Sequence, residues 1–200
     1  MTIRIGIFLF DDVEVLDFAG PYEVFTTASR VAARRNPAQA APFTVVTLAA
    51  TPQIRARAGL MVLADHALDE TPPLDLLIVP GGVVDAELEK PAVVQWVATQ
   101  SAAARWTASI CTGAFLLAAA GLLDGRPATT HWEDLADLRA RFPRVAVKDG
   151  VRWVDDGNVL TSGGISAGIH LALHLVARLA GQELAVATAR QMEFDWEPHP

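Results

Sequence analysis

The sequence predicts an α/β domain built as a three-layer sandwich, in which a mostly parallel central sheet is covered on both faces by helices. Short apolar runs of strand length alternate along the chain with longer segments of helical spacing, the order that makes successive strands parallel and sends their crossovers over the sheet faces. One run, Leu74 to Val79, has the continuous apolar character of a buried strand. Hydrophobic residues make up 52% of the 200 residues against 20% charged, which excludes disorder and supplies one sizeable core. Dividing that length in two would leave each half marginal, so a single domain over residues 1–200 is expected.

The elements follow in order. Ile3 to Phe10 (IRIGIFLF) is a strand, and Asp17 to Thr27 a helix whose Gly20-Pro21 step suits a helix start. Arg34 to Pro42, rich in Ala, Arg, Asn and Pro, reads as a surface connection to the strand Phe43 to Ala49, and Leu60 to Leu63 as a short extra strand after Gly59. The buried strand Leu74 to Val79 ends in Pro80-Gly81-Gly82, and Pro91 to Ala104 has helical spacing of Val94, Trp96 and Val97. Trp106 to Ile110 is a strand that enters a turn at Cys111, and Thr112 to Leu123 is an almost wholly apolar helix closed by Asp124-Gly125. Ala128 to Thr130, Val145 to Val147, Arg152 to Val154 and Val159 to Thr161 are short strands; Glu133 to Phe142 and Ser166 to Ala180 are helices. No repeat, low-complexity tract or linker interrupts them, and the charged tail Glu193 to Pro200 is too short for a further module.

Charge and motifs exclude several functions. A formal net charge of -7 argues against nucleic acid and anionic membranes as partners. The longest weakly polar stretch, Thr107 to Leu123, falls short of the ~20 apolar residues needed to span a bilayer. Met1 to Phe10 moves straight into a strand pattern with no cleavage site after it, so no export signal is expected. The single cysteine cannot form an internal disulfide, and a free thiol suits a reduced cytoplasm. Neither GxGxxG after a strand nor GxxxxGK[ST] occurs, so no nucleotide cofactor is expected; His170 and His174 stand i, i+4 on one helix, yet no HExxH pattern accompanies them and no metal is assigned. Trp96, Trp106, Trp132, Trp153 and Trp196 read as core or interface residues.

Ser109-Ile-Cys-Thr-Gly113 joins an apolar strand directly to an apolar helix, with small residues on both sides of the cysteine. Such an elbow lifts the sulfur to the carboxyl end of the sheet, beside the unpaired amides and positive dipole of the following helix, and this favours thiolate over thiol. Cysteines so placed have pKa values of about 3.5–7.5, against ~8.5 when unperturbed. A buried structural cysteine is the alternative. Asp17 lies just past the first strand, where a parallel sheet brings it to the same edge as Cys111. Its carboxyl group would exchange a proton with sulfur or water, or merely cap a helix. Gly81 and Gly82, with the amide of Thr112, would stabilise a developing negative charge, or form a simple tight turn. The Thr112 hydroxyl would hold water or substrate, or cap its own helix; Glu14 would bias the charge of Asp17 from a second layer, and Ser109 supports the elbow.

Five segments together resemble the ThiJ/PfpI superfamily: Asp17-Phe-Ala-Gly-Pro-Tyr-Glu-Val-Phe25, Val79-Pro-Gly-Gly82, Ser109-Ile-Cys-Thr-Gly113, Ala128-Thr-Thr-His-Trp132 and Leu160-Thr-Ser-Gly-Gly-Ile-Ser-Ala-Gly168. The resemblance covers nearly the whole chain and implies a flavodoxin-like, class I glutamine amidotransferase-like fold with Cys111 as nucleophile. The first segment is most similar to the branch holding isocyanide hydratases, which carry an aspartate at this position, and the amidase-like domains of AraC-type regulators. Those regulators continue into a basic DNA-binding domain, whereas this chain stops at Pro200 with an acidic end, so a free-standing enzyme is expected. Thr112 stands where the proteolytic members have histidine, and the glutaminase His-x-Glu pair is missing near the C-terminus, so neither activity is expected. His170 replaces an aspartate common in the branch.

The resemblance implies cofactor-free hydration of an isocyanide to an N-substituted formamide, with Cys111, Asp17 and Thr112 as catalytic residues, Gly81, Gly82, Thr112 and His131 at the substrate or its developing charge, and a small molecule as partner. His131, 20 residues beyond the cysteine, matches a histidine of glyoxalase-like members and implies the alternative of glyoxalase or deglycase action on 2-oxoaldehydes. A non-catalytic metabolite or redox sensor is the third reading. Superfamily members are usually dimers, which implies a homodimer here.

Overall fold

The computed structural model describes residues 2–199; Met1 and Pro200, the two ends of the expected domain and of the leader and tail readings, lie outside the described residues. Next to the middle strand of its seven-stranded sheet is β1 (Ile3–Leu9), buried continuously from Ile5 onward. Parallel neighbours flank it, β2 (Phe43–Ala49) on one side and the fully buried β6 (Leu76–Val79) on the other. Outward from β6 follow β7 (Trp106–Ile110), β11 (Val159–Ser162) and β10 (Trp153–Asp156); outward from β2 lies β5 (His66–Ala67). Among the described residues the only antiparallel pairing in this sheet is β10 with β11, so the mostly parallel sheet expected from the alternating pattern is what forms.

Helices α1 (Val15–Arg35), α6 (Ser166–Ala180) and α7 (Gln182–Gln191) pack together as one layer. The other contains α2 (Asp85–Leu88), α3 (Pro91–Ala103) and α4 (Gly113–Ala119). Chain order reverses between β1 and β6, and the loops leaving the carboxyl ends of β1, β6 and β7 open into the crevice at that switch point, where ligands bind in open α/β sheets. No described helix is long and apolar enough to cross a membrane.

Several boundaries differ from the sequence reading. Helix α1 begins at Val15 and runs to Arg35, so Gly20-Pro21 lies within it rather than at its start. A side chain at Gly20 would press into Ile169 of α6, so the glycine lets the two helices approach. Pro21 forfeits one helical bond, a loss the helix tolerates in its packed setting. Arg34 and Arg35 belong to the last helical turn, where cations complement the helix dipole. Helix α7, to which the sequence reading assigned nothing, buries Leu184, Ala185, Thr188 and Ala189, a face too small and polar to stand out as an apolar stripe.

Outside the main sheet, the extra strand read at Leu60 to Leu63 is β4 (Met61–Leu63), paired antiparallel with β3 (Gln53–Arg55), a partner the sequence did not reveal. The segments read near Ala128 and Val145 shorten to β8 (Pro127–Ala128) and β9 (Ala146–Val147), which form their own small parallel pair. Helix α5 (Leu135–Arg141) follows a single 3-10 turn at Trp132–Asp134.

Candidate active site

Cys111 sits between β7 and α4 with φ 55, a left-handed conformation that a non-glycine residue holds only when its surroundings impose it. Its amide donates to the carbonyls of Ser162 at 3.2 Å and Gly163 at 3.3 Å. Its own carbonyl accepts from the buried hydroxyl of Thr130 at 2.8 Å and from the amide of Ala114 at 3.3 Å. Gly113 allows the turn to close: a methyl there would overlap the carbonyl oxygen of Val79 at the end of β6. The strand-elbow-helix geometry read from Ser109 to Gly113 is therefore present, and the sulfur stands at the sheet's carboxyl edge.

Asp17 reaches the same point from the first turn of α1 and is fully buried. It is not a helix cap, because Glu14 holds the N-cap position and the Asp17 carboxylate turns inward. One carboxylate oxygen accepts from the Gly81 amide at 3.1 Å, the other from the Ile165 amide at 3.1 Å, and the group also meets the Cys111 side chain. Burial pushes the Asp17 carboxyl from 3.8 up to about 7, and the negative charge of Glu14 adds to the rise, while the amides of Gly81 and Ile165 and the thiol oppose it. Ile165, a β-branched residue with φ 52, holds its own strained conformation while making that bond.

The thiol is also pushed up, to about 12, by burial first and then by the charge of Asp17; the Thr112 amide and hydroxyl pull against this. The helix mouth, expected to favour thiolate over thiol, acts in that direction through the Thr112 amide but against these two effects. Helix α4 has only seven residues, and its terminus is outweighed by the loss of water and by a neighbouring carboxylate. Between about 7 and about 12 the pair holds one proton, which either partner can carry. A thiolate exists in that range when the proton rests on Asp17.

Gly81 and Gly82 lie beside Cys111 and Thr112 as expected, but their amides are already used. Gly81 donates to Asp17, and Gly82 donates to the Thr112 hydroxyl at 2.9 Å. The Thr112 hydroxyl in turn donates to the Gly82 carbonyl at 2.8 Å and makes no cap bond to its helix. The Pro80-Gly81-Gly82 turn is clamped to the loop before α1, with the Glu14 amide donating to the Gly81 carbonyl at 2.8 Å and the Val83 amide to the Asp12 carbonyl at 3.1 Å. These glycines thus hold the acid and the elbow together.

A cavity of about 240 Å³ opens onto the sulfur, lined by Glu14, Arg57, Gly82, Cys111, Thr112, His131, Glu133, Asp134 and Ile165. Larger hollows of about 470 Å³ near the ends of α1 and α7 contain no nucleophile. His131 enters the cavity wall because Gly164 leaves room for its ring, and its Nδ1 lies 3.3 Å from Asp134 and 3.8 Å from Glu133. Glu14 stands at the rim, 3.5 Å from Arg57, on the turn between β3 and β4. The sequence reading missed Arg57, Thr130, Glu133, Asp134 and Ile165; Thr130 and Ile165 lay inside quoted segments, whereas Arg57 carried no motif at all.

Other candidates lie elsewhere. The Ser109 hydroxyl is sealed inside β7 with no hydrogen-bond partner among the described residues. His174 pairs with Asp155 at 2.7 Å, and His170 stacks on Trp153 and meets Phe194 edge-on. Burial, then the charge of Arg152, lowers the pKa of His170. Trp132 is 73% exposed, so it belongs to no core.

Comparison with known proteins places this geometry among relatives. The sequence matches the DJ-1/PfpI family over residues 3–178. It is 37% identical to isonitrile hydratase of Pseudomonas putida over 97% of this chain and 79% of that protein. It is also 35% identical to the HTH-type transcriptional regulator GbdR of Pseudomonas aeruginosa over 72% of this chain, a match spanning 39% of the regulator. Among solved structures, a ThiJ/PfpI family protein from Pseudomonas syringae superposes with a TM-score of 0.84 at 27% identity, covering 99% of this chain and 77% of that one.

Proposed function

The chain belongs to the DJ-1/PfpI family, and from that premise we propose that it hydrates small isocyanides to N-substituted formamides without a cofactor. The observation that carries the proposal is the buried Asp17 carboxyl group, aimed by the Gly81 and Ile165 amides and meeting the Cys111 thiol at the elbow. An isocyanide carbon needs a nucleophile and a proton together, and this pair supplies both.

With the proton on Asp17, the Cys111 sulfur attacks the terminal carbon while the carboxyl group protonates that same carbon, giving a thioimidate. The Asp17 carboxylate then takes a proton from water, whose oxygen adds to the thioimidate carbon. Collapse breaks the carbon–sulfur bond; one water proton finishes on nitrogen and the other returns to the Asp17–Cys111 pair. The balance is one isocyanide plus one water to one formamide, with the enzyme unchanged. The similarity to isonitrile hydratase supports this reading.

The test is formamide formation from a small neutral isocyanide, run beside lactate formation from methylglyoxal. Wild-type protein is expected to yield formamide, Cys111→Ala to abolish it, and Asp17→Asn to reduce it by about a hundredfold or more. Undiminished turnover in Cys111→Ala would refute the covalent step. His131 in the same cavity favours a second reading, 2-oxoaldehyde chemistry, in which lactate appears instead. Similarity to GbdR favours a third, a metabolite-binding domain that binds without turnover. A homodimer is part of the leading proposal and is checked by analytical ultracentrifugation.

A further inference from the structure

The cavity over Cys111 has two chemically different ends. At the sulfur end lie the Thr112 amide and the N-terminus of α4, both suited to developing negative charge. The outer end presents acceptors. Glu14, Glu133 and Asp134 contribute carboxylates, and His131 turns Nδ1 toward Asp134 at 3.3 Å. Nε2 has no hydrogen-bond partner among the described residues, and the ring edge bearing it passes over Gly164, next to Ile165 of the cavity lining.

The donors that would offset these acceptors are already engaged. Arg57, the one cation in the lining, pairs with Glu14 at 3.5 Å, and the Thr112 hydroxyl donates to the Gly82 carbonyl. One guanidinium against three carboxylates leaves the rim negative. From this arrangement we infer that the cavity selects small electrophiles whose tail is a cation or a hydrogen-bond donor, a primary ammonium above all, and rejects tails ending in a carboxylate. The inference rests on the reading of Cys111 as a nucleophile and adds the substrate class of that site. A volume of about 240 Å³ limits the tail to a few heavy atoms, so its charged end must lie among Glu133, Asp134 and Glu14.

The experiment has an arm independent of isocyanide turnover. Wild-type protein is treated at low salt with a matched pair of methanethiosulfonates, one carrying an aminoethyl and the other a sulfonatoethyl group. In each reaction the Cys111 sulfur forms a disulfide with the reagent's thio group and methanesulfinate leaves. Rates are divided by those of free cysteine with the same reagents. A cation-over-anion ratio of about tenfold or more, equal to about 1.4 kcal/mol, is expected. It should shrink in high salt and in Glu133→Gln, whose wild-type side chain is 64% exposed and whose replacement leaves the fold intact.

In the second arm, three-carbon isocyanides ending in ammonium, methyl or carboxylate are compared by kcat/KM. The order ammonium, methyl, carboxylate is expected, with the spread reduced in Glu133→Gln and reduced further when Asp134→Asn is added. A reagent ratio at or below one, or a ratio unmoved by both substitutions, overturns the inference. Absence of formamide from all the isocyanides beside a reagent ratio of tenfold overturns the hydratase reading and leaves the selectivity of the site standing.

Discussion

Replacing Asp17 by asparagine keeps the size and planarity of the side chain and removes its ability to ionise, so it isolates what a buried acid does to the folded protein. In the wild type the folded-state pKa is raised from 3.8 to about 7, chiefly by burial. The folded protein therefore holds a proton that the unfolded chain has released between those values, and stability falls as pH rises through that window. At about 1.4 kcal/mol per pH unit, the fall between pH 4.5 and pH 8 is about 3 kcal/mol. Asparagine has no such slope, but it offers only one oxygen to the two amides of Gly81 and Ile165, which costs about 1–3 kcal/mol at every pH. The wild type should thus be the more stable protein at pH 4.5, and the variant should draw level or overtake it by pH 8. Urea denaturation of both proteins across this range reads the effect as a relative shift of about 1 M in midpoint, because their difference cancels groups that titrate in both. Cys111 does not confuse the measurement, since its ordinary pKa of 9.0 and its raised value both lie above the window. A difference between the two proteins that stays flat from pH 4.5 to 8 would show that Asp17 is not a desolvated acid, and the shared-proton chemistry would fall with it.

Three further outcomes follow from the same geometry. In Asp17→Asn the charge that raises the thiol is gone, so iodoacetamide should alkylate Cys111 with an apparent pKa below the wild-type value; an unchanged or higher value refutes the coupling. Thr130→Val removes the hydroxyl that donates to the Cys111 carbonyl at 2.8 Å and leaves that carbonyl the Ala114 amide at 3.3 Å, which should cost about 0.5–1.5 kcal/mol, read in thermal denaturation as about 2–4 °C per kcal/mol, while Thr130→Ser restores most of it. Gly113→Ala should cost about 3 kcal/mol or more, because the added methyl meets the backbone of Val79, whereas Gly157→Ala, with φ 78 but open space around it, should cost about 1 kcal/mol; equal losses in the two variants would mean that the elbow is not closely packed.

The parts of this fold that showed in the sequence are those with a continuous physical signal. The runs Ile3 to Phe10 and Leu74 to Val79 are apolar because both faces of β1 and β6 are covered, and the small residues around Cys111 are required by the approach of α4 to β6. Parallel topology then brings Asp17 to the sulfur from far away in sequence. What stayed hidden depends on contacts rather than pattern. Arg57 reaches the site because β3 and β4 pair across it, and nothing in the residues from Gln53 to Leu63 marks that turn as part of a pocket. Glu133 and Asp134 look like any acidic first turn, and they become a cavity wall only because His131 is turned toward them. Helix α7 stayed hidden because its buried face is mostly alanine and threonine.

The disposition of the backbone amides bears on which chemistry suits this cavity. Acyl transfer, as in peptidases and amidases, puts negative charge on a carbonyl oxygen and relies on free amides aimed at it. Here the amides of the Gly81-Gly82 turn, the natural candidates beside the elbow, are spent on the Asp17 carboxylate and the Thr112 hydroxyl. Releasing either would leave a buried polar group without a partner, at about 1–3 kcal/mol. Addition of sulfur to an isocyanide places the new electron pair on carbon instead, where a proton is needed rather than a cradle of amides. Asp17 is held at that point by hydrogen bonds from backbone amides just past the ends of β6 and β11, with a pKa of about 7 that lets it give the proton up and take it back. The amides of Gly81 and Ile165 thus aim the acid rather than cradle an oxygen, which leaves the Thr112 amide beside the sulfur, an arrangement that fits the proposed protonation of carbon.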